Sequence, residues 1–230
     1  MDYFKLWVSN LGFQDKHILD IGCGRGELIR YAINKGAIAT GIDYSKSAIK
    51  YAKNTIKNAI GKHKEQSKVL KMDAKKLDFQ NESFDMIFLL DIVEHLHDWE
   101  LEECLKEVNR VLKKNGEVII HTSPNKNLLD MVRIISKPLG IEFKSQAFHV
   151  NEQTAKTLSK YTNDYFKGET ILDIIDSYWF NQMGERGKVL KITAKITDIF
   201  FDNPFIRKII LNTELKHIFA TDIWFKGLKK

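Results

Sequence analysis

A short apolar run near the start of the chain leads directly into a glycine-rich turn. Residues 18–26 read Ile-Leu-Asp-Ile-Gly-Cys-Gly-Arg-Gly. A strand that is covered on both faces of a parallel sheet is nearly continuous in apolar residues, as this run is. Glycines let backbone N–H groups approach a ligand closely at the point where a chain turns into a helix. The pattern therefore predicts a strand, a ligand-binding loop and a helix, an arrangement typical of a nucleotide-cofactor site.

An acidic residue about twenty positions further along supports this prediction. Asp43 ends a second apolar run, residues 37–42, where a carboxylate can accept hydrogen bonds from both hydroxyls of a ribose. The turn spaces Gly22, Gly24 and Gly26 as G-x-G-x-G, whereas the dinucleotide-binding fingerprint is G-x-G-x-x-G. A dinucleotide-binding dehydrogenase is therefore the competing interpretation, and the glycine cluster alone does not decide between the two.

Strand and helix patterns alternate from residue 17 to residue 123, which is typical of a parallel sheet with helices on both faces. The apolar runs predict strands at 17–22, 37–43, 68–72, 84–90, 116–122, 170–178 and 220–227. Helical periodicity predicts helices at 27–35, 46–60 with Ser45 as its N-cap, 100–112, 127–136 and 152–161. The connection 180–219 is predicted to contain two more helices, because loops longer than about 12–15 residues normally carry secondary structure.

The composition is that of an ordinary globular protein. The chain has 230 residues, of which 43% are hydrophobic and 29% charged, and this favours a single domain over residues 1–230. The sequence shows neither a signal-peptide pattern nor an apolar run long enough to span a membrane, so we expect a cytoplasmic protein. In that compartment Cys23 and Cys104 should stay reduced.

The excess positive charge lies towards the end of the sequence. The net charge is +6, and residues 186–230 hold ten Lys/Arg against four Asp/Glu. A solvated helix face is consistent with this, and so is a surface for acidic lipid, nucleic acid or an anionic substrate. Contact with nucleic acid and peripheral contact with a membrane both remain open.

Five segments occur in the order and spacing found in one enzyme superfamily. They are Leu-Asp-Ile-Gly-Cys-Gly-Arg-Gly at 19–26, Gly-Ile-Asp-Tyr-Ser at 41–45, Met-Asp-Ala at 72–74, Phe-Asp-Met-Ile-Phe-Leu-Leu-Asp-Ile-Val-Glu-His-Leu at 84–96 and Leu-Lys-Lys-Asn-Gly-Glu-Val-Ile-Ile at 112–120. Over residues 15–125 the chain resembles the class I S-adenosylmethionine-dependent methyltransferases. The resemblance implies an α/β fold with a Rossmann-like, seven-stranded, mostly parallel sheet, an antiparallel last strand, helices on both faces and, here, a helical C-terminal insert. It also implies S-adenosylmethionine as the cofactor and S-adenosylhomocysteine as the product.

The resemblance assigns cofactor-binding roles to residues of these segments. Those expected to bind the cofactor are Asp20, Gly22, Cys23, Gly24, Gly26, Asp43, Tyr44, Met72, Asp73, Ala74 and Asp91. The glycine segment would line the methionine end, Asp43 would hold the ribose, and Asp73 would accept from the adenine amino group. Tyr44 and Met72 would flank the adenine. The alternative is that Asp73 only caps a turn and that Tyr44 packs in the core.

The segment after the fourth strand carries the residues expected to act on the acceptor. Asp91, Glu94 and His95 are spaced i, i+3 and i+4, so on a helix they would share one face. Two carboxylates and an imidazole form half of a divalent-metal site, and His149 could supply a fourth ligand.

The pattern Asp-Ile-Val-Glu-His at 91–95 resembles the Glu-x-x-Glu-His motif of small-RNA 3′-terminal 2′-O-methyltransferases and polyprenyl-quinone O-methyltransferases. In those families a later histidine falls where His149 falls here, and a metal such as Mg²⁺ orients and acidifies the hydroxyl to be methylated. Asp91 is one methylene shorter than the first Glu of that motif, which argues against full coordination. In a metal-free site Glu94 and His95 would be the catalytic residues, with His95 as a base or a hydrogen-bonding group. His121 is predicted to be a core or rim histidine.

Together these features predict a methyltransferase that acts on an oxygen of a small or lipid-like acceptor. Residues 180–219 would form an insert or lid over that acceptor, or else a helix pair that packs on the edge of the sheet. RNA ribose 2′-O-methylation is the alternative activity, and it requires a basic groove leading to His95. A cofactor-binding protein without turnover is the third interpretation.

Overall fold

The computed structural model describes residues 7–139, 149–174 and 203–230, and within them seven strands form one sheet. The strands are β1 (His17–Ile21), β2 (Ile38–Asp43), β3 (Lys68–Lys71), β4 (Phe84–Leu90), β5 (Leu112–Thr122), β6 (Phe166–Asp173) and β7 (Asp222–Lys229). Their order in the sheet is β3-β2-β1-β4-β5-β7-β6. The first five strands pair in parallel, whereas β7 is antiparallel to both of its neighbours. The expected fold class, with its antiparallel last strand, is confirmed.

Helices connect the strands and cover both faces of the sheet. They are α1 (Glu27–Asn34), α2 (Lys46–Lys57), α3 (Asp98–Val111), α4 (Lys126–Ser136), α5 (Ala155–Thr162), α6 (Pro204–Leu211) and α7 (Lys216–Phe219). Ser45 caps α2 as predicted, because its hydroxyl oxygen accepts a hydrogen bond from the N–H of Ala48 at 3.4 Å. Helix α3 begins before the predicted residue 100, because the Glu100 carboxylate accepts the His97 N–H at 3.0 Å and closes a capping box.

Alternate residues of the central strands face opposite sides of the sheet. Ile18 and Phe88 pack in the core formed with α1 and α2, whereas Leu19 and Leu89 pack in the core formed with α3 and α5. Burial on both faces explains why the strand sequences are nearly continuous in apolar residues. Polar residues with a function are therefore expected at the carboxyl ends of the strands, where loops leave the sheet.

Two strands, β5 and β6, begin four residues before the predicted start, for the same reason. Strand β5 begins at Leu112, four residues before the predicted start at 116, and β6 begins at Phe166 instead of 170. Both added stretches contain exposed lysines, Lys114 and Lys167, so a search for apolar runs passes over them. Residues 175–178, predicted to continue the sixth strand, lie outside the described residues.

The predicted helical insert at 180–219 falls partly within the described residues. Helices α6 and α7 lie in its second half, and Pro204 occupies the first turn of α6 as expected of a helix start. The first part of the insert, residues 180–202, lies outside the described ranges. Over the parts of the chain that the structure describes, no helix is both long and apolar enough to cross a membrane.

Candidate functional site

The glycine turn after β1 folds back over the end of β2. The N–H groups of Gly22 and Cys23 both donate to the carbonyl oxygen of Ile42, each at 2.9 Å. Gly22 and Gly26 adopt left-handed φ angles of 75° and 76°, which favour glycine over residues with a side chain. The chain therefore makes a compact turn between β1 and α1, as the sequence predicted.

Asp43, at the end of β2, is tied to the glycine turn. Its Oδ2 atom accepts the N–H of Gly24 at 3.0 Å, and its Oδ1 atom accepts the N–H of Ser45 at 2.8 Å. Each carboxylate oxygen has a second lone pair, which can accept a ligand hydroxyl. Burial, followed by the negative charge of Asp43, raises the pKa of Asp20 to about 7.

A cavity of about 300 Å³ lies beside the glycine turn. Four residues of the expected cofactor set line it: Asp20, Gly22, Cys23 and Asp91. The other lining residues are Arg25, Glu27, Leu28, Leu90, His121 and Trp224. Three carboxylates and two basic groups thus line the cavity. This balance fits a ligand with positive charge, as the sulfonium and ammonium groups of the expected cofactor have.

The residues expected around the adenine lie at the ends of β2 and β3. Tyr44 is 80% exposed, so the alternative that it packs in the core is wrong. Met72 packs against the core, and Ala74 is buried. Asp73 does cap a turn, because its Oδ1 atom accepts the N–H of Lys75 at 2.9 Å. Its side chain is nevertheless about half exposed, which leaves room for contact with a ligand.

Glu94, His95 and His149 form a cluster near the end of β4. One potential ligand atom from each of the three residues lies within 4.8 Å of the others. The rings of His95 and His149 meet edge to face with centroids 5.0 Å apart. The carbonyl oxygen of Glu94 accepts hydrogen bonds from the N–H groups of Val150 and Asn151 at 2.9 and 3.1 Å. These bonds hold the segment that contains His149 close to Glu94.

The side chains of this cluster are of the types that can hold a cation. Glu94 is almost fully buried, and its Oε2 atom accepts the hydroxyl of Thr122 at 2.9 Å. Burial, with a further contribution from Asp91, raises the pKa of Glu94 to about 8. Burial and the neighbouring His95 lower the pKa of His149, which favours its neutral, metal-binding form. One carboxylate and two imidazoles suit a transition metal better than Mg²⁺, which prefers oxygen ligands.

Asp91 occupies a different position from the one that the spacing suggested. The expectation that Asp91, Glu94 and His95 share one helix face is wrong, because residues Val93–His95 form a single 3-10 turn. Asp91 precedes this turn with a left-handed φ of 55°, and its Oδ1 atom lies 2.7 Å from Nδ1 of His121. It is not part of the three-residue cluster among the described side chains.

His121 is the residue whose role the sequence did not indicate. It is 1% exposed, as a core histidine would be, yet it also lines the cavity. Its Nε2 atom lies 2.9 Å from Asp222, and its ring lies 4.2 Å from that of Trp224. Asp222 and Trp224 share one face of β7, and Trp224 is the register partner of His121 where β5 pairs with β7. The spacing of Asp222 and Trp224, two residues apart, was the available signal, but the pairing register was needed to interpret it.

Comparisons with known proteins give a consistent result. Residues 19–120 match a family model described as a methyltransferase domain. The chain is 37% identical over 142 residues to a ubiquinone biosynthesis O-methyltransferase of Pelagibacter ubique, covering 61% of this chain and 54% of that protein. A protein of the same name from Coxiella burnetii is 32% identical over 117 residues, covering 50% of this chain and 46% of that protein. The chain thus spans about half the length of these curated relatives.

Solved structures share the fold. A S-adenosylmethionine-dependent methyltransferase from Methanosarcina mazei superposes with a TM-score of 0.64 and 19% identity, covering 94% of this chain and 93% of that chain. At this identity the likeness concerns the fold. This likeness of fold covers 94% of the chain, more than the residues 19–120 that match the family model.

Proposed function

We propose that the protein is a class I S-adenosylmethionine-dependent methyltransferase that methylates a hydroxyl oxygen of a small or lipid-like acceptor, since residues 19–120 match a methyltransferase-domain model. The observation that carries this proposal is a juxtaposition at the carboxyl ends of neighbouring strands. The glycine turn and Asp43 follow β1 and β2, and the Glu94, His95 and His149 cluster follows β4. A methyl donor and an acceptor hydroxyl would therefore lie side by side.

The cofactor supplies an activated methyl group when bound. The protein's task is to orient the two reactants, and orientation alone contributes up to about 7–11 kcal/mol in well-aligned reactions. Asp43 would fix the ribose hydroxyls while the turn around Gly22 and Gly24 surrounds the methionine end. Asp20 is buried behind this turn, and its carboxyl group lines the cavity.

Glu94, His95 and His149 would act on the acceptor. His95 is exposed, so it can reach an acceptor hydroxyl, whereas Glu94 is buried and His149 lies between these extremes. A divalent metal held by the three side chains would lower the pKa of a bound hydroxyl. Without a metal, His95 would accept the hydroxyl proton directly. We place Asp91 outside this ligand set because it lies against His121.

The relatives and the surface of the C-terminal helices support a lipid-like acceptor. The matched relatives are named for O-methylation in ubiquinone biosynthesis. In α4, α6 and α7 several large apolar side chains are exposed: Ile134, Ile135, Phe205, Ile209 and Ile218. Helix α7 packs against both α4 and α6, and exposed apolar side chains on neighbouring helices favour contact with an apolar ligand.

The experiment combines metal titration with turnover. Purified protein is stripped with a chelator and assayed with S-adenosylmethionine and a panel of phenolic and prenylated acceptors, before and after addition of Mn²⁺, Zn²⁺ or Mg²⁺. We expect turnover to fall with the chelator and to return with a metal, and His149→Ala to lose calorimetric metal binding but keep cofactor affinity. The matched control is His63→Ala, which changes a histidine that pairs with Asp15 and is not part of the cluster.

Two results would change the proposal. Turnover that is unaffected by the chelator would mean that His95 acts without a metal, and the proposal of O-methylation would stand. Cofactor binding without methylation of any acceptor, under all these conditions, would favour a binding protein without turnover.

One surface favours the alternative acceptor, an RNA ribose. Helix α2 contains no carboxylate but carries lysines at helical spacing: Lys46, Lys50, Lys53 and Lys57. Between α1 and α2 lies a groove of about 440 Å³, lined by Arg25, Arg30 and Tyr51 among others. Arg25 also lines the cofactor cavity, whereas His95 lines neither, so we keep this activity second.

The test of the RNA alternative is the salt dependence of binding. A labelled single-stranded RNA is titrated with the parent and with a variant in which the four α2 lysines are replaced by glutamine. The matched control replaces four exposed lysines elsewhere: Lys106, Lys114, Lys156 and Lys160. A shallower salt slope for the α2 variant alone, together with methylation of the RNA, would make RNA the preferred acceptor.

A further inference from the structure

Asp91, His121 and Asp222 form a linear arrangement of two carboxylates on one imidazole. Oδ1 of Asp91 lies 2.7 Å from Nδ1 of His121, and Oδ1 of Asp222 lies 2.9 Å from Nε2. The three residues come from the end of β4, from β5 and from β7. Only a doubly protonated imidazole can donate to both carboxylates. The arrangement therefore holds one positive and two negative charges, with a net charge of about −1.

His121 fixes Asp91 through its main chain as well as through its side chain. The N–H of Asp91 donates to the carbonyl oxygen of His121 at 3.1 Å. Asp91 has a left-handed φ of 55°, a conformation that residues with a side chain seldom adopt and that persists only when the surroundings enforce it. The ring of Trp224 packs 4.2 Å from that of His121, and Trp7 stacks on Trp224 at 4.8 Å. The orientation of the imidazole is therefore determined from several sides.

The outer carboxylate of this arrangement faces the cavity next to the glycine turn. Asp91 and His121 both line that cavity, and the Asp91 side chain is 44% exposed, whereas that of Asp222 is 10% exposed. The Oδ1 atom of Asp91 contacts His121, and the exposed part of the carboxylate borders the cavity, where a ligand can reach it. The cluster of Glu94, His95 and His149 does not include Asp91.

We propose that His121 and Asp222 are positioning residues that hold Asp91 towards the cofactor cavity, where its carboxylate stabilises the positive sulfur of a sulfonium ligand. This inference rests on the proposed function, because that function supplies the ligand. It removes Asp91 from the metal site that the sequence suggested. It also gives the buried histidine a role in ligand selection, since a carboxylate favours a sulfonium over a neutral thioether.

The test compares two ligands that differ in the charge on sulfur. Calorimetry measures the affinity of the parent and the variants for S-adenosylmethionine and for S-adenosylhomocysteine, with no acceptor present. We expect Asp91→Asn to weaken S-adenosylmethionine binding at least about tenfold and S-adenosylhomocysteine binding less than about threefold, because only the first ligand loses a charge partner. His121→Gln and Asp222→Asn should shift the ratio of the two affinities in the same direction.

A positioning role also predicts that the effects do not add. The double variant Asp91→Asn with His121→Gln should bind S-adenosylmethionine no more weakly than Asp91→Asn alone, because residues that act as one unit are non-additive. His63→Gln is the matched control, since it breaks a surface His–Asp pair with Asp15 of similar length, 2.8 Å. If His121→Gln fails to melt cooperatively, Asp222→Asn carries the test, because asparagine keeps the shape and an acceptor oxygen.

The contrary results are distinct. Equal loss of affinity for both ligands would mean a structural role, and additive losses would mean that His121 does not act through Asp91; either overturns the inference. Lower metal affinity in Asp91→Asn with unchanged ligand ratios would return Asp91 to the metal site and overturn it as well. A parent protein that binds neither ligand would instead contradict the proposed function.

Discussion

Gly26 and Ala52 lie in contact where α1 and α2 pack, so closely that a Cβ added to Gly26 would lie 2.9 Å from the Ala52 Cβ. The contact explains why the third glycine of the turn is needed: it brings the start of α1 against α2 and so fixes the turn above the sheet. The second glycine, Gly24, has a left-handed φ of 49° but no atom closer than 3.9 Å to an added Cβ. A side chain at Gly24 would therefore meet only backbone strain, whereas a side chain at Gly26 would meet both backbone strain and steric overlap.

We predict that Gly26→Ala lowers the free energy of unfolding more than Gly24→Ala. Both variants place a side chain in the left-handed region, which costs about 1–2 kcal/mol. Gly26→Ala adds an overlap with the backbone and side chain of Ala52, and overpacking typically costs about 1–3 kcal/mol more. Urea unfolding of the two variants measures the difference. Equal destabilisation would show that α1 and α2 can separate without loss.

We predict that Asp43→Ala weakens cofactor binding by about 1–3 kcal/mol, because two ribose hydroxyls lose a charged acceptor. The carboxylate also accepts the N–H groups of Gly24 and Ser45, so part of the loss comes from a looser turn. Ser45→Ala is the control, since it removes the cap of α2 while leaving the carboxylate in place. Calorimetric affinity for S-adenosylmethionine that stays unchanged in Asp43→Ala would mean that Asp43 does not face the ribose.

We predict that Arg207→Gln destabilises the protein while Lys208→Gln does not. Nη2 of Arg207 lies 3.1 Å from Oδ1 of Asp173, a residue that is 9% exposed and also accepts the indole N–H of Trp7. Loss of the guanidinium leaves this carboxylate without its cation, at a cost of about 1 kcal/mol after allowance for solvent screening. Lys208 is exposed, and surface substitutions typically stay within about 0.5 kcal/mol. Matching melting curves for the two variants would contradict the role of Arg207.

We predict an alkaline loss of stability that depends on His121. Burial opposes the charge of this histidine, but its contacts with Asp222 and Asp91 outweigh burial and raise its pKa to about 10. The ordinary value is 6.5, so the folded state binds the proton more tightly than the unfolded state. The resulting stability is fully present below about pH 6.5 and is lost as the pH rises through about 10.

Denaturant unfolding at several values between pH 6 and pH 10 provides the measurement for this prediction. The free energy of unfolding of His121→Gln should vary less over this range than that of the parent. Asp20, with a pKa raised to about 7, contributes in the same direction, so the difference between variant and parent is the relevant quantity. A difference that does not change with pH would mean that His121 folds uncharged.

The local geometry around the glycine turn could be predicted from the sequence, whereas the roles of its residues stay predictions. The turn at 22–26 and Asp43 follow short strands whose apolar pattern is unambiguous, and the structure joins them through Gly24. Glu94, His95 and His149 also come together as the resemblance implied. Their roles remain predictions, whereas their proximity is observed in the structure.

The arrangement around His121 could not have been predicted from sequence. It depends on β7 inserting between β5 and β6, which places Trp224 opposite His121 in the pairing register. Spacing along the chain indicated a helix for Asp91, whereas the structure turns Asp91 back towards β5 before a short 3-10 turn begins. Interactions between distant segments decided both features, and single-sequence periodicity carries no information about them.

The position of β7 has a consequence for synthesis of the chain. The glycine turn, Asp43 and the Glu94 segment emerge early, whereas Asp222 and Trp224 emerge roughly one hundred residues after His121, which they contact. A nascent chain that contains only β1 to β5 thus has the glycine turn but lacks the side of the cavity that Trp224 lines. In this chain His121 has Asp91 beside it but not yet Asp222. We therefore expect the protein to bind its ligand only after β7 has paired with β5 and β6. Tight ligand binding would then report a completely folded sheet.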